Sequence, residues 1–124
     1  MLLVAHLTEQ IIGLSIEVHR ETGRGLLESV YEQCLCYELC QAGLAVERQV
    51  AIPVTYKGVQ IGEGFRTDIV VDRQVILEIK AVAAILPAHE AQLQIYLRMS
   101  GIRVGLILNF NAARLIDGLR RFVV

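Results

Sequence analysis

The chain has 124 residues, the size of one ordinary domain, and it can bury a single core without disulfides or structural metal. Its formal charge of −1 excludes a global basic field that would attract nucleic acid, so any phosphate contact has to be local. Hydrophobic residues make up 54 % and the mean hydropathy is +0.49, high enough to expect a second copy to cover some apolar surface, yet no run reaches the length that spans a bilayer.

Met1-Leu2-Leu3-Val4-Ala5 is apolar but short, lacks a basic leader and is soon followed by Glu9. A secretory signal is therefore not expected, and the reading is cytoplasmic with no membrane contact. Ile11, Ile12, Leu14, Ile16 and Val18 predict an amphipathic helix from Thr8, its expected N-cap, to about Thr22. Gly23-Arg24-Gly25 breaks it. A second helix is predicted from about Leu26 to Ala42, with Gly43 as its stop. It carries Cys34, Cys36 and Cys40. Cys36 and Cys40 share a face and Cys34 points elsewhere, so they read as buried or half-buried thiols and not as a zinc site, which needs a fourth converging ligand.

Strand-like segments follow at Val46–Tyr56 and Val59–Val71, separated by the turn Lys57-Gly58, and at Val75–Ala81 after Asp72-Arg73. Pro87 suits the first turn of a third helix ending at Ser100-Gly101. Arg103–Phe110 is a fourth strand, expected to lie parallel to the third through a helical crossover. A short segment near Ala112–Ile116 and a last edge strand from Leu119 complete the chain. The expectation is one α/β domain over residues 1–124, an α-β-β-β-α-β core on a mixed sheet with an additional N-terminal helix.

The chain contains ten Arg but only two Lys, Lys57 and Lys80. Lys57 sits in a turn. Lys80 sits in Val75-Ile76-Leu77-Glu78-Ile79-Lys80, where Glu78 and Lys80 share one strand face among aliphatic neighbours. Two charges there are either merely solvated on a partly exposed face or built into a site, because each desolvated ion costs several kcal/mol. Asp68 is a lone acid on the preceding strand. A two-residue loop at Asp72-Arg73 would set Asp68 opposite Leu77, on the wrong face. A three-residue loop, Asp72-Arg73-Gln74, or a bulge sets it opposite Glu78, and that register is expected. Two converging carboxylates make a hard-cation site for Mg²⁺ or Mn²⁺. Such an ion activates water and polarises phosphate, and a nearby lysine stabilises the developing charge.

Other residues are open on spacing alone. Glu28, Tyr31 and Glu32 lie together on the second helix, as a solvated face or as part of a site. His89, Gln92 and Tyr96 form a stripe on the third, with His89 also suited to a capping turn. His19 reads as a structural histidine. Arg20, Arg24, Arg66, Arg98 and Arg103 are possible phosphate contacts.

Asp68, nine intervening residues and then Glu78-Ile79-Lys80 resemble the PD-(D/E)XK nuclease superfamily. Gly25-Leu26-Leu27-Glu28-Ser29-Val30-Tyr31 resembles the motif of the GxxExxY protein family, a small branch of it. Ile16 to Arg20, Arg66 to Asp68, Pro87 to Gln92 and Asn109-Phe110-Asn111 look alike too, so the resemblance runs from about Leu7 to Val124. It implies a metal held by Asp68, Glu78, the Ile79 carbonyl and Glu28, with Glu28 turned from solvent toward the pair. It also implies Lys80 as the catalytic cation and Gln92, of Gln92-Leu93-Gln94-Ile95-Tyr96, beside the site. Thr67 stands where the superfamily's name has proline, and Arg24 where the branch often has it.

The expected function is a Mg²⁺-dependent nuclease cutting phosphodiester bonds, with DNA favoured over RNA and a homodimer as the assembly. The alternatives are a non-catalytic nucleic-acid-binding protein and a self-associating scaffold, both retaining the nuclease fold.

Overall fold

The computed structural model describes residues 4–124. Its elements are α1 (Ala5–Thr22), α2 (Glu28–Gln41), β1 (Val46–Tyr56), β2 (Val59–Val71), β3 (Val75–Lys80), α3 (Pro87–Ser100), β4 (Val104–Asn109), a 3₁₀ turn (Leu115–Gly118) and β5 (Leu119–Val123). The strands form one sheet in the order β1-β2-β3-β4-β5. Only β3 and β4, joined through α3, are parallel; the other neighbouring pairs are antiparallel.

Period-two alternation sorts the sheet's apolar residues onto two faces. Ile69, Val71, Val75, Leu77, Ile79 and Leu106 pack under α1 and α2. Val70, Ile76 and Ile107 pack under Leu93, Tyr96 and Leu97 of α3. The third helix lies close to β4: a Cβ on Gly105 would meet Leu93 Cδ1 at 2.9 Å, so a side chain here would push the buried Leu93 aside.

Four expectations change. Thr8 is not an N-cap. The first helix begins at Ala5, and the buried Thr8 hydroxyl donates back to the carbonyls of Val4 and Ala5. The second helix begins at Glu28, because Leu27 has extended backbone (φ −68°, ψ 151°). Glu28 is thereby its first residue, where the helix dipole favours a carboxylate. The third strand ends at Lys80, one residue early. Among the cysteines, Cys40 is exposed instead of half-buried.

The β1–β2 hairpin changes register between Ile52↔Phe65 and Val54↔Ile61. Pro53 alone then opposes residues 62–64, and Gly62 and Gly64 adopt positive φ there. A Cβ on Gly64 would overlap the Ile52 carbonyl. The bulge carries the hairpin tip, with exposed Tyr56, Val59 and Ile61, past the body of the sheet.

Candidate active site where two strands part

Asp72 and Arg73 turn the chain with left-handed backbone (φ 50° and 53°), and the Gln74 N–H closes the loop on the Val71 carbonyl. This three-residue connection fixes the pairs Val71↔Val75, Val70↔Ile76 and Ile69↔Leu77. Pairing then stops, although β2 continues along β1 and β3 along β4. The next positions in register are Asp68 and Glu78, at the point of parting. They belong with Val70, Ile76 and Lys80 to the face under α3.

Side chains take over the lost ladder bonds there. Asp68 Oδ2 accepts the Ile79 N–H at 2.8 Å. Glu78 Oε1 accepts the Thr67 hydroxyl at 2.7 Å and the Asp68 N–H at 3.4 Å. The residue standing in place of the superfamily's proline thus supplies a donor that holds Glu78. Both acids are disfavoured as anions. Burial, then the Asp68 charge, pushes Glu78 up to about 7, against the Thr67 and Asp68 bonds and the Lys80 cation. Burial also pushes Asp68 up, while the Ile79 N–H and Lys80 draw it down and the charges of Glu32 and Glu28 add to the rise. Lys80, half-buried beside the pair, is the opposing charge.

Glu28 reaches the same end of β3, where its Oε2 accepts the Ala81 N–H at 3.0 Å. Its carboxylate is not turned away from solvent, as the resemblance implied; the residue is exposed. From α3, Tyr96 is pushed up to about 12 by burial and then by the charges of Glu78 and Asp68, with the Gln92 side chain drawing it down. The third helix therefore stands against the carboxylate pair. His89 does not join it: its Nδ1 accepts the Leu86 N–H at 3.1 Å and caps α3. His19 Nε2 lies 2.9 Å from the Ala112 carbonyl. Arg66 donates to the Gln49 carbonyl, and Arg103 to the Val124 carbonyl at the other end of the sheet.

Glu32 has a part that spacing alone left open. It is 5 % exposed, and it is gripped by Arg48 Nε and Nη2 (3.0 and 2.7 Å) and by Gln49 Nε2 (2.9 Å). Gln49 lies between the pairs Arg48↔Ile69 and Val50↔Thr67, hence opposite Asp68. Its backbone is left-handed (φ 50°), a conformation costly for a non-glycine residue and commonest beside functional sites. Two acids four residues apart on the second helix, Glu28 exposed and Glu32 buried, were the available signal; the arginine that pairs with the second was not.

Among the described residues, no group of three or more His, Cys, Asp and Glu is disposed to hold a metal ion. The donor set is two carboxylates with the Ile79 carbonyl between them in sequence. A cleft of about 460 Å³ between β1 and the end of α3 involves Glu47, Pro53, Arg73 and Met99 and lies away from the pair. No helix of the described residues is long and apolar enough to cross a membrane.

A family model described as the PD-(D/E)XK nuclease superfamily matches residues 5–122. No curated protein and no solved structure gives a significant match.

Proposed function

Since this chain belongs to the PD-(D/E)XK nuclease superfamily, we propose that it is a Mg²⁺- or Mn²⁺-dependent phosphodiesterase acting on nucleic acid, with DNA favoured over RNA. Within the superfamily, the Gly25 to Tyr31 motif favours the GxxExxY branch. The observation that carries the reading is the juxtaposition of Asp68 and Glu78, half-buried and buried, at the parting of β2 and β3, with Lys80 on the same face.

The donor set fits a hard divalent cation. Each acid is disfavoured as an anion by burial and by its neighbours' charge, with Lys80 in opposition. A dication would neutralise both, and Mg²⁺ in particular takes few protein carboxylates and keeps several waters. Asp68, Glu78 and the Ile79 carbonyl would hold it, with Glu28 alongside. When bound, it would polarise a phosphate oxygen and lower the pKa of a water. The chain's own part is to orient and to balance charge. Thr67 and the Ile79 N–H fix the carboxylates. Lys80 meets the charge that develops on the phosphate in the transition state. Gln92, four residues before Tyr96 on α3, would offer an amide toward the substrate or its water.

The test is cleavage of a panel of labelled DNA and RNA, as duplexes, single strands and junctions, with Mg²⁺, Mn²⁺ or Ca²⁺. Mg²⁺ and Mn²⁺ are expected to support cleavage better than Ca²⁺, whose larger, looser coordination aligns water and phosphate poorly. A correctly folded, metal-loaded protein that cuts nothing would decide for the non-catalytic binding alternative.

The assembly proposed is a homodimer. Leu27, Leu86, Tyr56 and Val59 are 74 %, 53 %, 62 % and 59 % exposed, apolar side chains that a second copy would cover. Light scattering at micromolar concentration is expected to give twice the chain mass, and a monomer mass would overturn this.

A further inference from the structure

We propose that Asn109 is a positioning residue that aims Lys80, acting as the centre of an Asn109-Phe110-Asn111 clamp on the exit of β3; the inference rests on the nuclease reading of the Lys80 site.

Regular pairing of β3 with β4 ends at Lys80↔Asn109. The chain then leaves the sheet through residues 81–86, and a strand end released into a bend normally frays. Here the Lys80 carbonyl, the Ala81 N–H and both backbone polar groups of Val82 are held. The Phe110 N–H donates to the Lys80 carbonyl at 2.8 Å. Glu28 Oε2 takes the Ala81 N–H. The Asn109 side-chain amide then behaves as one more peptide unit: Oδ1 accepts the Val82 N–H at 3.1 Å, and Nδ2 donates to the Val82 carbonyl at 3.0 Å. Asn111 Nδ2 donates to the same carbonyl at 3.2 Å, and the Asn111 N–H bonds Asn109 Oδ1 at 3.2 Å. Only an amide offers a donor and an acceptor in this arrangement.

The clamp is itself anchored. Asn109 is 5 % exposed, and a Cβ on Gly118 would overlap the Asn109 carbonyl, so the 3₁₀ turn presses directly against its backbone. Phe110 is fully buried and stacks on Tyr31 at 4.6 Å between ring centroids. The Tyr31 hydroxyl donates to the Gly23 carbonyl at 2.6 Å and accepts the Leu26 N–H at 3.2 Å. This one aromatic pair ties the loop before Glu28 to the exit of β3. Two sequence motifs, Glu28 with Tyr31 and Asn109 with Asn111, meet on the two residues that follow Lys80.

The consequence concerns geometry. A lysine has four rotatable bonds, and its ammonium is useful to a transition state only if the Cα–Cβ direction is fixed; a misplacement of about 1 Å can cost on the order of 10²-fold in rate. The Asn109 side chain spends its hydrogen bonds on Val82 and Asn111, so its loss should leave the ion's ligands in place and disturb the cation.

The test uses the fact that the chain has only two lysines. Reductive ¹³C-methylation gives side-chain resonances for Lys57 and Lys80, assigned with Lys57→Arg. In Asn109→Ala the Lys80 resonance is expected to move toward the position and narrow width of exposed Lys57. With cleavable substrate, kcat is expected to fall about ten- to a hundredfold with KM within about threefold. Asn109→Asp keeps the two bonds that Oδ1 accepts and the size of the side chain, Asn111→Ala keeps the Asn109 pair, and both should show smaller changes in the same sense. They also serve if Asn109→Ala does not fold. An unmoved Lys80 resonance in folded Asn109→Ala or Asn109→Asp overturns the inference, whatever the activity. So does an unchanged kcat when the wild type cleaves. A wild type that cleaves nothing overturns the nuclease reading separately, and the Lys80 resonance still decides whether Asn109 positions it.

Discussion

Lys80→Ala is expected to lower phosphodiester turnover by roughly 10²–10³ while leaving divalent-ion affinity within a few-fold of wild type, since one transition-state contact of this kind is commonly worth that much. The reasoning starts from the strand. Lys80 is half-buried on the face it shares with Asp68 and Glu78 and lies in register with Asn109 at the last rung to β4. Its charge opposes the pair but supplies no ligand atom, so removing it changes what faces the reacting phosphate more than what faces the ion. Asp68→Asn should behave in the opposite way. It removes a charged ligand, so cleavage should need far more Mg²⁺ or Mn²⁺, with turnover partly restored at saturation. Single-turnover cleavage rates and titration calorimetry with Mn²⁺ check the pair. Equal losses of ion affinity in both variants would sink the division of roles.

The metal-free protein is expected to lose stability as pH rises from about 4.5 to 7, and Glu78→Gln is expected to remove much of that loss. Glu78 in the folded chain is pushed up to about 7 from an ordinary 4.5, by burial and by Asp68. A carboxyl whose folded value is raised binds more protons folded than unfolded. Its favourable contribution is fully present below pH 4.5 and is gone above about 7. At about 1.4 kcal/mol per unit, the penalty at pH 8 is on the order of 3–4 kcal/mol. Asp68 moves in the same direction and keeps some of the slope in the variant. Urea unfolding in EDTA between pH 5 and 8 measures this, with the difference between wild type and Glu78→Gln as the readout. Mg²⁺ or Mn²⁺ should restore the wild type at pH 8, because an ion that binds only the folded state stabilises it by mass action. The same addition should do much less for Glu78→Gln. A variant less stable than wild type in EDTA at pH 8 would mean that Glu78 serves the fold, as a partner for Thr67, more than an ion.

Periodicity and punctuation made most of the element list legible. Val46–Tyr56 and Val59–Val71 were bounded by Lys57-Gly58, and Pro87 and Gly101 bracketed α3, because backbone dihedral preferences at such residues act locally. The shared face of Asp68 and Glu78 followed from parity: in an antiparallel hairpin, loop length decides which residues oppose, and the three residues Asp72-Arg73-Gln74 gave the predicted register. The first helix began three residues before its expected start because burial of Thr8 outweighed its use as a cap.

What the sequence by itself determined, then, was the strands, the helices and the single face bearing Asp68, Glu78 and Lys80, all set by interactions over a few residues or one short loop. Only the tertiary structure decided that β2 and β3 part at Asp68, that Arg48 and Gln49 take Glu32 across 16 and 17 residues of chain, and that Glu28 and Asn109 close on Ala81 and Val82 across 53 and 27. Those hydrogen bonds are made by polar side chains that match no periodic pattern. Their partners are backbone groups or single side chains brought near by the packing of other residues, so nothing local in the sequence selects them.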